Sequence, residues 1–283
     1  MIKRTLFFTH CIFLANLITS GQSNYAGPKG NLFIIGGGDR SPELIRTLVQ
    51  TAMLVKTDYI VVLPMSSTEP DSSYYYIRTE LQEACHNTIV NLNFTKDRVN
   101  DAGWIDSLKH ARMIFITGGD QTRFMNIVLH TAVYDAIHYA FNNGSTVAGS
   151  SAGAAVMSKN MITGNELLGD TTYHETFRRL WQNNIELKEG LGLVDSAIID
   201  QHFVVRSRYN RMLSAIAKFP SYLCIGIDEA TAIIIHNKKV TVTGDGQVIV
   251  LADPKGLEIN GGLIKMADLR FSIYTRGDSF NLK

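Results

Sequence analysis

The residues Gly149-Ser150-Ser151-Ala152-Gly153 follow the apolar pair Val147-Ala148 and precede Ala154-Ala155-Val156-Met157, which can begin a helix. A serine on a sharp strand-to-helix turn needs neighbours without bulky side chains, and the helix beyond it helps stabilise developing negative charge. Ser151 is the central residue of this G-x-S-x-G and the candidate nucleophile, with Ser150 as a minor variant. The same small residues would also let a helix pack tightly on a sheet without any chemistry.

Other strand ends supply what such a serine needs. Thr117-Gly118-Gly119-Asp120-Gln121 runs from an apolar stretch into a glycine pair, at the edge where open α/β sheets place their ligands. The Gly119 and Ala152 amides together can form an oxyanion hole, and Gln121 can hold a substrate amide or carboxylate. A plainer reading makes Asp120 a helix cap. Gly36-Gly37-Gly38-Asp39 lacks the third spaced glycine of a dinucleotide loop, which disfavours a nicotinamide cofactor.

A base and its orienting acid are found further along. Asp200-Gln201-His202 follows the apolar Ala197-Ile198-Ile199, and Arg206, Ser207, Arg208 and Arg211 come shortly after. If Ser207 caps a helix, Arg208 and Arg211 share one face with Arg206 just ahead, and three guanidiniums converge on an anionic ligand. Their plainer reading is a solvated helix face, and that of a lone histidine is a structural group. Asp228 and Glu229 end the apolar Gly226-Ile227, and either could orient His202. The order serine, histidine, acid differs from that of α/β-hydrolases, so another serine-hydrolase scaffold is required.

Positioning these residues calls for strands that end together. Short β-branched runs at Leu32–Ile35, Tyr59–Leu63, Ile89–Leu92, Met113–Thr117, Ser145–Ala148, Ala197–Asp200 and Leu223–Ile227 alternate with amphipathic segments. That is the pattern of an α/β fold with a mainly parallel sheet. Ser41-Pro42-Glu43 marks a helix start, with Leu44, Ile45, Leu48, Val49, Ala52 and Met53 on one face. Helices are also expected at 76–85, 122–130, 133–141 and 207–219. After Glu229, runs at 232–236, 238–243 and 247–251, with Gly244-Asp245-Gly246 between the last two, predict a meander of antiparallel strands within the same domain.

Composition narrows the partners. With 27 Lys plus Arg against 26 Asp plus Glu among 283 residues, nucleic acid is a poor match. Three cysteines, Cys11, Cys85 and Cys224, fit neither a zinc ribbon nor a dense disulfide framework, and leave open whether Cys85 and Cys224 pair. No metal or organic cofactor is expected. Met1-Ile2-Lys3-Arg4, a mostly apolar stretch to Ile18 and Thr19-Ser20-Gly21 read as a signal peptide over residues 1–21. Export to the periplasm or beyond is the expectation, with no stable membrane span, because the stretch is short of the roughly 20 apolar residues needed. Residues 22–30 then form a flexible lead into a single domain over 31–283.

Taken together, Ile34-Ile35-Gly36-Gly37-Gly38-Asp39, Leu63-Pro64-Met65-Ser66-Ser67, Gly118-Gly119-Asp120-Gln121, Gly149 to Gly153, Asp200-Gln201-His202-Phe203 and Gly226 to Ala230 resemble the cyanophycinases from about Asn31 onward. That serine peptidase family also contains the aspartyl dipeptidase peptidase E. The resemblance implies a three-layer αβα, glutamine amidotransferase-like fold and a homodimer. It implies hydrolysis of cyanophycin, a poly-aspartate bearing arginine on its side-chain carboxylates, to β-aspartyl-arginine. By position Ser151 matches the nucleophile, His202 the base and Glu229 the acid, while Gln121, Asp200, Gln201, Arg206, Arg208 and Arg211 match the substrate pocket. Asp200 would meet a substrate guanidinium and the arginines its carboxylates. An aspartyl or isoaspartyl dipeptidase and a non-catalytic binder of anionic polymers are the alternatives.

Overall fold

The computed structural model describes residues 27–169, 172 and 174–283. The signal segment read in residues 1–21 lies outside the described residues.

Strand β1 (Asn31–Ile35) sends Leu32 and Ile34 to one face of the sheet and Phe33 and Ile35 to the other, all four buried. Burial on both faces is why its sequence reads as a continuous apolar run rather than an alternating one. The same holds for β2 (Tyr59–Leu63) and β4 (Met113–Ile116), which lie beside β3 (Thr88–Asn91) and β5 (Thr146–Ser150). These five strands are mutually parallel in the order β1-β5-β4-β2-β3.

Helices cover both faces. On one side, α1 (Pro42–Ala52) starts where the Ser41 hydroxyl accepts from the Leu44 amide, with Pro42 in the first turn. Its Leu44, Ile45 and Leu48 meet Ile77 and Leu81 of α2 (Pro70–Ala84) over Phe33, Ile35, Ile60 and Val62. Each such buried side chain contributes about 1.5–3 kcal/mol relative to exposure. On the other side lie α3 (Ala102–His110), α4 (Gln121–Val128), α5 (Ala132–Asn142) and the single turn α6 (Ala152–Ala155). The mainly parallel sheet between two helical layers is the expected αβα arrangement.

The second half extends this frame. A hairpin, β6 (Asn160–Glu166) with β7 (Ile185–Glu189), leads to β8 (Ala197–Asp200), α7 (Tyr209–Lys218) and β9 (Leu223–Ile227). Then come β10 (Thr231–His236), β11 (Lys239–Gly244), β12 (Val248–Lys255), β13 (Glu258–Asn260), β14 (Leu263–Lys265), β15 (Asp268–Tyr274) and β16 (Ser279–Asn281). Strands β10, β11 and β16 extend the main sheet antiparallel beyond β1. The others correct the expected organisation: β8 and β9 form a separate four-stranded sheet, β15-β12-β9-β8. Ile199, Ile225 and Val250 of that sheet face the main core, while Ile198, Cys224 and Ile249 pack under α7.

The meander is corrected in the same way. Gly244-Asp245-Gly246 does not fold β12 back on β11, because the Asp245 amide donates to the Ala230 carbonyl and the Gly246 amide to Thr231 Oγ1. The chain is led across to β9 instead. Cys85 and Cys224 are both free thiols, and burial pushes the Cys224 thiol pKa well up.

Candidate active site

Ser151 follows the last residue of β5 with φ 55° and ψ −111°, a left-sided conformation that is strained for any residue with a Cβ. Its amide donates to the Ile35 carbonyl at 3.1 Å, which pins the turn to the neighbouring strand. A Cβ on Gly149 would lie 2.2 Å from the Gly153 carbonyl oxygen, so the small residues of the motif let the chain double back on itself.

His202, at the end of β8, reaches the serine from the second sheet. Its amide donates to the Gly36 carbonyl at 2.8 Å, Nε2 lies 2.9 Å from Ser151 Oγ, and Nδ1 lies 2.5 Å from Glu229 Oε1. A carboxylate can only accept, so the proton belongs on Nδ1 and Nε2 is left to accept from the serine hydroxyl. The ring lies over Gly37, where φ is +117° and an added Cβ would sit 2.3 Å from Cε1. The three-glycine loop is thus the floor beneath the imidazole rather than a phosphate cradle.

Of the two neighbouring acids, Glu229 faces His202. Asp228 Oδ1 accepts from the Val204 and Val205 amides, each at 3.0 Å, and so fixes the loop that carries the histidine. Burial holds the His202 pKa below its ordinary 6.5; the Glu229 hydrogen bond opposes this, and the Arg206 and Arg208 charges add to it. The imidazole is therefore neutral, and able to take a proton, at neutral pH. The acid limb of kcat/KM is expected to have its midpoint below 6.5, and Arg206→Gln to move that midpoint upward by removing a repelling charge. A pH–rate profile in which the limb stays in place would show that Arg206 does not act on the imidazole.

The glycine pair after β4 lies against the serine: a Cβ on Gly118 would be 3.9 Å from Ser151 Oγ. Among the described residues the Gly119 amide donates to no backbone carbonyl, and Ala152 opens α6 with its own amide at the helix start. Asp120 caps α4, accepting from the Thr122 and Arg123 amides.

Several residues expected at the substrate have partners within the chain. Both N–H groups of Gln121 are used, Nε2 donating to the Ile162 and Thr163 carbonyls at 3.0 and 2.8 Å. It ties α4 to β6 and has no donor left for a carboxylate. Arg208 and Arg211 do not converge on a ligand either. Both are 2% exposed, as is the side chain of Asp200, with Arg211 Nε 2.6 Å from Asp200 Oδ2 and Nη2 against Oδ1. Asp200 is therefore engaged by internal guanidiniums rather than open to one from a substrate. Ser207 does not cap α7: it has φ 51°, and the helix begins two residues later with no side-chain cap.

The buried cluster nevertheless acts on the site. Asp200 Oδ1 accepts from the Gln201 amide and Arg208 Nη1 donates to the Gln201 carbonyl, both at 2.8 Å, so the peptide leading into His202 is held at both ends. Gln201 itself points Oε1 toward Ser151 Oγ at 3.5 Å. Arg206 alone of the three arginines reaches solvent, its side chain 33% exposed and 3.7 Å from the exposed Glu175.

The fold has a solved counterpart in a peptidase from an acI-B1 Actinobacterium, with a TM-score of 0.66 and 18% identity over 90% of this chain and 98% of that one. Fold and sequence relatives together define a serine-type peptidase. The chain belongs to peptidase family S51, whose model matches residues 32–243. It is 33% identical to a cyanophycinase from Nostoc sp. over 268 residues, covering 90% of this chain and 86% of that protein. A cyanophycinase from Trichormus variabilis is 32% identical over 267 residues, with the same coverage.

Proposed function

We propose that this protein is an exported peptidase that hydrolyses cyanophycin to β-aspartyl-arginine dipeptides through Ser151, His202 and Glu229. The observation that carries the reading is the continuous hydrogen-bonded line from Ser151 Oγ through His202 to Glu229 in a member of this family. The cyanophycinase relatives support the substrate. The basic and apolar residues of 1–21 support export.

In this mechanism His202 Nε2 takes the Ser151 proton as Oγ attacks a backbone carbonyl of the polymer. The Gly119 and Ala152 amides receive the charge that develops on the carbonyl oxygen. His202 then protonates the leaving amine, and water, deprotonated by the same nitrogen, cleaves the acyl-enzyme. Glu229 keeps the imidazole in the productive tautomer throughout. Arg206, half-buried near His202, would meet a substrate carboxylate in this reading.

The test is incubation of insoluble cyanophycin with protein lacking residues 1–21, with soluble products identified by mass. Release of β-aspartyl-arginine is the expected result. Turnover of short aspartyl or isoaspartyl dipeptides, with the polymer left intact, would replace the cyanophycin reading with that of a dipeptidase.

A further inference from the structure

Beside the reactive serine lies a cavity of about 260 Å³ whose wall includes Gly118 and Ser150, the immediate surroundings of Ser151. Asp39 and Arg40, from the loop after β1, and Tyr76 and Glu80, from α2, also line it. Arg40 grips Glu80 with two hydrogen bonds, Nε to Oε2 and Nη2 to Oε1, each at 2.6 Å. These two charges cancel one another. The Asp39 carboxylate is exposed and, among the described residues, receives no hydrogen bond or ion pair. It leaves the cavity with a net negative charge.

The rim is aromatic as well. Tyr76 is 64% exposed and its neighbour Tyr75 62%, with the rings edge to face and their centroids 5.9 Å apart. Exposed rings beside an uncompensated carboxylate offer a planar cation both a face to stack on and a counter-charge. A guanidinium satisfies both requirements, whereas a substrate carboxylate would meet repulsion from Asp39.

We propose that this cavity is the subsite for a guanidinium-bearing side chain of the substrate, with Asp39 as counter-ion and Tyr76 as stacking face. The inference rests on the reading of the substrate as an arginine-bearing aspartate chain. It moves recognition of the cation from Asp200, which is buried against Arg211, to the loop after β1.

Binding can be measured without turnover in a Ser151→Ala background, by calorimetry at low salt with a short β-aspartyl-arginine oligomer and the same oligomer carrying citrulline, the neutral isostere. The arginine ligand is expected to bind about fivefold more tightly, the scale of a charge contact that keeps one side in water. Adding Asp39→Asn should abolish that preference while leaving citrulline binding unchanged, and Tyr76→Ala should weaken both ligands. An unchanged arginine-to-citrulline ratio in Asp39→Asn would overturn the subsite. If the Ser151→Ala protein binds neither oligomer, the substrate reading fails and the subsite falls with it, an outcome distinct from a preserved ratio.

Discussion

Ser151→Ala is expected to reduce hydrolysis at least about 10⁴-fold, the loss typical when the nucleophile of a hydrogen-bonded triad is removed. The fold should survive, because among the described residues the hydroxyl hydrogen-bonds only to His202 and, at 3.5 Å, to Gln201. Alanine keeps the Cβ and hence the strained φ of 55°, so thermal stability should change little. Ser151→Gly should be equally inactive yet not destabilised in proportion, since glycine adopts that conformation without the steric penalty. Measuring turnover and melting temperature on both variants separates chemistry from folding. Retained turnover in Ser151→Ala would remove the assignment of the nucleophile, and Ser150 would be the next residue to test.

The serine was legible because everything that defines it is local: an apolar strand, a turn of small residues and a helix start, all within a dozen positions. His202 and Glu229 lie 51 residues from Ser151 and 27 residues from His202 respectively, yet could be singled out because each ends an apolar run. The choice between Asp228 and Glu229 was not legible from residue type. It depends on which of two adjacent carboxylates caps the Val204 and Val205 amides, a matter of loop geometry.

Sheet membership was hidden for a related reason. The β8 and β9 runs look like further strands of the central sheet, since strand composition reports burial rather than pairing partner. Their separate sheet follows from long-range registers with each other and with β12. Helix α3 is weakly marked in the sequence although Asp101 caps it through the Trp104 amide. Gly103 in its first turn and an apolar face of only Trp104, Ile105 and Leu108 weaken the periodic signal.

The arginines are the instructive failure, and they yield the second large effect. Three guanidiniums near a histidine look like a substrate clamp, but spacing along a helix does not reveal which face is buried. Asp200→Asn leaves Arg208 and Arg211 buried without their carboxylate, and breaking a buried pair from one side costs about 3–5 kcal/mol. In a protein of this size that corresponds to a fall of roughly 6–20 °C in melting temperature.

The sign of the pH dependence agrees with this. Burial alone would raise the Asp200 pKa, but Arg211 and Arg208 outweigh it and hold the carboxyl below its ordinary 3.8. The stabilisation is therefore present above the unfolded value and is lost as pH falls through the folded one. Wild type should keep this contribution at pH 5, and Asp200→Asn should lack it at every pH. Activity should fall along with stability, because the Gln201 peptide that sets His202 is held by the same ions. A variant that melted like wild type but no longer bound arginine-bearing substrate would return Asp200 to the substrate pocket. The opposite outcome, loss of stability with discrimination between arginine and citrulline intact in the surviving activity, would leave the cation to be recognised elsewhere.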